Sequence, residues 1–205
     1  MSMDEVMRSA PVIPVLTLDG SIDPAALAQT LVAAGLPVIE VTLRTPAALA
    51  AIRAMAAVEG AIVGAGTILN ERMLGEAIGA GAKFIVSPGL TEPLARAAIS
   101  AGVPFLPGIA TASDIMRGLD LGLSRFKYFP AEAAGGLTAL KALAAPFGSV
   151  RFCPTGGISP ETAPEWLAHP SVLCVGGSWV VRPGETDLEA IATRARIASE
   201  LRAAE

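Results

Sequence analysis

The chain has 205 residues, of which 52% are hydrophobic and only 17% charged, enough for one domain with a full core. Its net charge is −4 and it has no basic run, which argues against a nucleic-acid surface. Aromatic residues make up 4%, so Ala, Val, Leu and Ile must fill the core.

The N-terminus carries Asp4 and Glu5 and lacks the apolar centre of a secretory signal. A short helix over about 2–9 is expected there. Short β-rich runs follow at 12–17, 38–43, 61–64, 84–87, 103–106, 126–129, 150–154 and 172–175, and most end in Gly, Pro or Thr. Ala- and Leu-rich segments between them, including 24–34, 46–58, 71–80 and 92–101, read as helices. Asp23-Pro24, Thr45-Pro46, Thr91-Glu92-Pro93 and Ser159-Pro160 are helix-start signals. Gly35, Gly81 and Gly102 stand where a left-handed residue closes a helix. Eight strands alternating with helices, with no linker, indicate a parallel sheet. An α/β fold of the closed (β/α)8 barrel (TIM barrel) type fits that count better than an open doubly wound sheet. It is expected to span 1–205 as one compact domain, below the ~250 residues typical of such barrels.

Other classes are disfavoured. The longest uncharged stretch, 97–113, is broken by Gly102, Pro104, Pro107 and Gly108 and falls short of the ~20 apolar residues of a membrane span. Cys153 and Cys174 lie in apolar runs without C-x-x-C spacing, as buried free thiols of a cytoplasmic protein would. His169 is the only histidine and sits at a helix-to-strand turn, so neither a metal site nor a cofactor is expected.

Barrel chemistry sits at the carboxyl ends of the strands, and the polar residues gather there. In the second strand the period of two puts Glu40, Thr42 and Arg44 on one face, with Ile39, Val41 and Leu43 on the other. The first set is expected inside the barrel, as functional groups or as a buried Glu–Arg structural pair. The third strand leads into Gly64-Ala65-Gly66-Thr67, the fourth into Ser87-Pro88-Gly89 and the fifth into Pro107-Gly108. Such single turns mean little, since every barrel needs tight loops.

Lys127 is the sharpest feature. It stands in the run Arg125-Phe126-Lys127-Tyr128-Phe129-Pro130, and Lys83 and Lys141 are the only other lysines. Aromatic residues suit a buried strand and an ammonium group does not. Burial beside a cation such as Arg44 would favour the neutral amine, which can attack a carbonyl. The alternative is a lysine whose stem packs on the rings while its head reaches water. Finally, Pro154-Thr155-Gly156-Gly157-Ile158-Ser159-Pro160 and Val175-Gly176-Gly177-Ser178-Trp179 each read as a strand end passing into a helix start. Paired glycines let backbone N–H groups approach an anion, and these barrels commonly hold phosphate after strands seven and eight. Two tight turns with no ligand are the plainer reading.

Taken together, Glu-Val-Thr-Leu-Arg-Thr (40–45), Gly-Ala-Gly-Thr (64–67), Ser-Pro-Gly (87–89), Phe-Lys-Tyr-Phe-Pro-Ala-Glu (126–132), Cys-Pro-Thr-Gly-Gly-Ile (153–158) and Gly-Gly-Ser-Trp (176–179) resemble the 2-keto-3-deoxy-6-phosphogluconate aldolase family. The motifs run in order over nearly the whole chain. The resemblance implies a class I, Schiff-base aldolase on a (β/α)8 barrel, usually a cytoplasmic homotrimer. Such enzymes cleave that phosphorylated keto acid to pyruvate and D-glyceraldehyde 3-phosphate in the Entner–Doudoroff pathway, and many also cleave 4-hydroxy-2-oxoglutarate to pyruvate and glyoxylate. Carried over by position, Lys127 matches the imine-forming lysine and Glu40 the general acid/base. Arg44 and Thr67 match the groups at the pyruvate carboxylate, and Thr155 a residue tied to stereochemical preference. Gly156, Gly157 and Ser178 match the phosphate end, with Gly176 and Gly177 supporting it. Pro88 and Phe129 complete the expected substrate contacts. Tyr128 and Ala134 depart from the Phe and Asn that many relatives carry. An aldolase for the galactonate epimer, or a phosphosugar epimerase or isomerase on the same barrel, would share the phosphate loops; the epimerase would leave Lys127 idle.

Overall fold

The computed structural model describes residues 1–201. The last four residues of the expected domain, 202–205, lie outside the described ones. In chain order the first half holds α1 (Met3–Arg8), β1 (Val12–Leu16), α2 (Pro24–Ala33), β2 (Val38–Thr42), α3 (Ala48–Ala56), β3 (Ile62–Gly66), α4 (Glu71–Gly79) and β4 (Phe84–Ser87). The second half holds α5 (Glu92–Ser100), β5 (Phe105–Ile109), α6 (Ala112–Asp120), β6 (Arg125–Tyr128), α7 (Gly136–Ala144), β7 (Arg151–Pro154), α8 (Ala163–Leu167), β8 (Val175–Gly177) and α9 (Leu188–Ser199). Every strand pair is parallel and the order β7-β6-β5-β4-β3-β2-β1-β8 is sequential. Bridges from Phe152 to Val172 and from Thr155 to Gly176 bring β7 back to the β8 side, which closes the (β/α)8 barrel.

Local chemistry sets the element ends. Asp23 caps α2 through the Ala25 N–H with Pro24 at the first helical position, and Thr111 with Asp114 forms a capping box on α6. Gly35, Gly81 and Gly102 take positive φ after α2, α4 and α5, as expected. Two start signals act differently. The Thr45 hydroxyl donates to the Leu18 carbonyl at 2.5 Å, and α3 begins only after Ala47. Ser159 lies ahead of Thr162, the residue at the α8 cap.

Three strands extend past their expected ends. β3 runs on through Gly66, β5 includes Pro107 and Gly108, and β8 is Val175–Gly177 rather than 172–175. In β8 the register with β1 decides the matter, pairing Val12, Ile13 and Pro14 with Val175, Gly176 and Gly177. Glycines that sequence reasoning placed in loops are strand residues, kept small by what faces them.

Packing divides the molecule into two apolar clusters. The larger lies between strands and helices, from outward residues such as Ile39, Val41, Val63, Ile85 and Phe126. The smaller fills the amino-terminal half of the barrel, where Met3, Val6 and Met7 of α1 join Ile13, Val38, Phe84, Val86, Leu106 and Leu173. Each such side chain contributes about 1.5–3 kcal/mol on burial. Asp4 fastens this plug to β6, accepting from Arg125 Nε at 2.6 Å and from Arg8 Nε at 2.7 Å. One end of the barrel is therefore dry and closed, and the carboxyl-terminal end is left to polar groups.

Candidate active site

Five polar side chains are buried among the described residues: Glu40, Thr42, Ser87, Lys127 and Thr155. Ser87 is accounted for locally, since its hydroxyl donates to the Gly89 carbonyl at 2.7 Å. The other four lie on inward positions of β2, β6 and the end of β7. Lys127 Nζ stands 3.2 Å from Glu40 Oε1 and 3.5 Å from Oε2, with both side chains almost wholly out of solvent. Burying such a pair costs desolvation that its own attraction offsets poorly, so stability alone is a weak reason for it. The lysine does not reach solvent past the rings. Its Nζ lies 5.4 Å from the Phe129 ring centroid, which walls the pair on one side.

Glycines make the room. A methyl group at Gly66 of β3 would lie 2.1 Å from Glu40 Oε1. One at Gly176 of β8 would lie 2.3 Å from Thr155 Oγ1, and one at Gly108 of β5 would lie 2.1 Å from the Pro88 carbonyl oxygen. Three bare inward positions thus admit the Glu40 carboxylate, the Thr155 hydroxyl and the Pro88 turn. Sequence reasoning missed the part played by Gly66 and Gly108. Their position on the inner face of a strand would have revealed it, had the strand ends been placed correctly.

Arg44 differs from expectation. β2 ends at Thr42, so Arg44 leaves the interior and stands exposed at the mouth. It forms no pair with Glu40 and is not the neighbour that isolates Lys127; an acid fills that place. Its Nε donates to Thr67 Oγ1 at 3.2 Å, and no other hydrogen bond engages its guanidinium among the described residues. Thr67 has φ of 60°, a left-handed conformation that β-branched residues rarely adopt and that costs about 1–3 kcal/mol. The strained turn directs a hydroxyl and a guanidinium together over the mouth.

On the opposite side, the loop after β6 is stitched to the end of β7. The N–H groups of Ala131 and Glu132 donate to Thr155 and Gly156 at 2.8 and 3.0 Å. A cis peptide joins Phe129 to Pro130. Tyr128 and Ala134, the two departures from the family pattern, meet here: the Tyr128 hydroxyl donates to the Ala134 carbonyl at 2.9 Å. Gly157 needs to be glycine twice over, since its φ is 83° and an added methyl would lie 2.7 Å from Glu132 Cβ. Neither glycine pair opens directly onto a helix. α8 begins at Ala163, and Ser178, exposed, starts a loop that runs to Asp187 at the cap of α9. What the β7 loop offers an anion is therefore backbone: Gly156 is engaged by the bridge between Thr155 and Gly176, while the N–H of Gly157 makes no hydrogen bond among the described residues.

Cys153 and Cys174 lie beneath the site as free thiols. Burial, then contact with Cys153, raises the pKa of Cys174 and keeps it protonated and inert.

A buried amine against one carboxylate, a guanidinium at the mouth and an unpaired amide opposite define a barrel enzyme suited to carbonyl chemistry on an anionic, two-ended substrate. Residues 3–194 match the model of the KDPG and KHG aldolase family. The KHG/KDPG aldolase of Escherichia coli is 54% identical over 181 residues, 88% of this chain and 85% of that protein. The crystal structure of the 2-keto-3-deoxy-6-phosphogluconate aldolase of Zymomonas mobilis with 3-phosphoglycerate superposes with a TM-score of 0.96 at 56% identity, over 98% of this chain and 97% of that one. The KDPG aldolase of Legionella pneumophila, with pyruvate captured as a covalent carbinolamine, superposes with a TM-score of 0.94 at 39% identity, over 98% and 99% of the two chains. The chain belongs to the KDPG and KHG aldolase family.

Proposed function

We propose that this protein is a class I aldolase that cleaves 2-keto-3-deoxy-6-phosphogluconate to pyruvate and D-glyceraldehyde 3-phosphate. The observation that carries this reading is the enclosed contact of Lys127 Nζ with Glu40 at 3.2 Å. At that distance a proton can pass from Nζ to the carboxylate, leaving a neutral amine beside a neutral acid. The amine attacks the C2 keto group and forms a carbinolamine; Glu40 passes the proton it took to the carbinolamine oxygen, which leaves as water, so that a protonated imine stands beside an ionised Glu40. Glu40 takes the proton of the C4 hydroxyl, the C3–C4 bond breaks, and its electrons come to rest in an enamine as the aldehyde leaves. Glu40 returns a proton to C3, and hydrolysis releases pyruvate and restores Lys127. Transfers of this kind contribute about 10²–10⁴ in rate. The carbinolamine of the Legionella relative supports the first step.

The ends of the substrate have their own partners. With Nε held by Thr67, Arg44 keeps its two Nη groups to grip the keto-acid carboxylate in parallel hydrogen bonds. Phosphate is assigned to the amide of Gly157, in the turn with Gly156, and to Ser178, supported by 3-phosphoglycerate in the Zymomonas relative. Binding energy gathered there positions the reacting bond. The name of the Escherichia coli relative favours 4-hydroxy-2-oxoglutarate as a second substrate.

No helix among the described residues is long and apolar enough to cross a membrane. The two buried, unpaired thiols support a reducing cytoplasm as its location. A homotrimer is the expected assembly, and light scattering would report it as three chain masses.

The test is borohydride reduction in the presence of pyruvate, read by intact mass and peptide mapping, with Lys127→Arg as control. A single pyruvate adduct on Lys127, absent from the variant, is expected. No adduct, or one on Lys83 or Lys141, would overturn the mechanism.

A further inference from the structure

We infer that Thr17 is a substrate-binding residue: its hydroxyl oxygen accepts a hydrogen bond from the C5 hydroxyl of the sugar acid, the hydroxyl that becomes C2–OH of the aldehyde product. This rests on the aldolase reading above and extends it to recognition of the aldehyde half.

Thr17 follows directly on β1, and the period of two places it on the same face as Ile13 and Val15. Ile13 is buried in the plug, Val15 is half-buried and Thr17 is exposed, so this face climbs from the dry end of the barrel to its mouth. Thr17 Oγ1 lies 2.9 Å from Thr42 Oγ1, and Thr42 Oγ1 lies 2.8 Å from the Leu16 carbonyl oxygen. Each hydroxyl has one proton. The carbonyl has none, so the proton of Thr42 must point to it, and the contact between the two hydroxyls must use the proton of Thr17. The chain of donation is therefore fixed, from Thr17 to Thr42 to Leu16. Thr17 has no proton left for a ligand and presents only lone pairs at the mouth.

Its position selects the ligand atom. Val15 pairs with Glu40 across β1 and β2, and Thr42 stands two residues beyond Glu40 on the same face, so Thr17 lies one step nearer the mouth than the carboxylate that handles the C4 hydroxyl. On its other side Thr17 and Ser178 line one recess of about 90 Å³. Between C4 and the phosphate the substrate has a single polar group, the C5 hydroxyl. An oxygen that can only accept matches a hydroxyl donor there, and it leaves a methylene at the same place without a partner. Glyoxylate and simple aldehydes lack that donor, so Thr17 favours hydroxylated phosphoaldehydes over them.

The experiment measures aldol addition of pyruvate to D-glyceraldehyde 3-phosphate and to its 2-deoxy counterpart, 3-oxopropyl phosphate, by wild type, Thr17→Val and Thr17→Ser. Loss of one neutral hydrogen bond predicts that Thr17→Val lowers kcat/KM about 2–12-fold more with the hydroxylated aldehyde than with the deoxy one. Thr17→Ser should keep the wild-type ratio between the two. Equal losses on both aldehydes, or no loss on either, would overturn the assignment. Pyruvate trapping on the same variants involves no aldehyde and separates the two claims. Normal adducts with equal losses sink Thr17 alone, whereas a wild type that neither traps pyruvate nor forms product sinks the aldolase reading and this inference with it.

Discussion

Replacing Gly66 with alanine tests the geometry of the site without removing any group that does chemistry. The added methyl would lie 2.1 Å from Glu40 Oε1 and 2.8 Å from its Cδ and Cγ. An ordinary carbon–oxygen approach is about 3.3–3.6 Å, so the carboxylate must retreat by roughly 1 Å. A shift of about 1 Å at a reacting group costs on the order of 10²-fold in rate. Stability should suffer less, because the obstructed atoms lie toward the end of a side chain that can turn aside. Overpacking costs about 1–3 kcal/mol, which at about 2–4 °C per kcal/mol lowers Tm by about 2–12 °C. Pyruvate release, coupled to lactate dehydrogenase, would be read beside a thermal melt. Gly79→Ala serves as control, since a methyl there meets nothing within 4 Å. The expected result is a folded Gly66→Ala enzyme about a hundredfold slower than both wild type and control. A folded variant within about threefold of wild type would refute the claim that this glycine exists to seat Glu40.

Glu40→Gln keeps the shape of the side chain and removes the proton transfers proposed for it, so kcat should fall about 10²–10⁴-fold in the same coupled assay. Tyr128→Phe removes the bond to Ala134, and a melt should drop by about 2–4 °C for the ~1 kcal/mol of one hydrogen bond. His169 gives a pH signature. Burial, then Lys141, depresses its pKa below the ordinary 6.5, and its Nδ1 accepts from Ser171. As pH falls below about 6.5 the unfolded chain takes up this proton before the folded one, so stability declines on the acid side. Melts of His169→Gln and wild type from pH 7.5 down to 5.5 should show the smaller acid-side loss in the variant.

The barrel was legible because most strands are apolar runs of unmistakable period and most helices carry caps. Lys127 and Glu40 were legible for the opposite reason, as charges set in runs that otherwise exclude them. What the sequence concealed was proximity between strands. Gly66 and Gly108 read as loop residues because glycine disfavours strands in general, yet each sits on an inner face where the chain next to it fills the space. Arg44 read as an interior group because the alternation of β2 was extended past Thr42, where the strand stops. The direction of donation from Thr17 to Thr42, and the lone pairs it leaves open, depend on three oxygen positions on two neighbouring chain segments, and no run of residues announces them.

The two departures from the family pattern also become intelligible once they are seen in space. An Asn side chain at position 134 would carry polar atoms of its own into the loop after β6. Ala134 has none, and the loop is held instead through its carbonyl, by the hydroxyl that Tyr128 has and phenylalanine lacks. The segment so held supplies the N–H groups of Ala131 and Glu132 that fix Thr155 and Gly156. A buried ion pair such as Lys127 with Glu40 adds little to stability by itself, so its geometry must be imposed from outside. Here the plug of α1 closes the barrel below, bare glycines leave space beside the carboxylate, and Tyr128 steadies the loop beyond Phe129. The chemistry at the mouth is affordable because the fold is held together elsewhere.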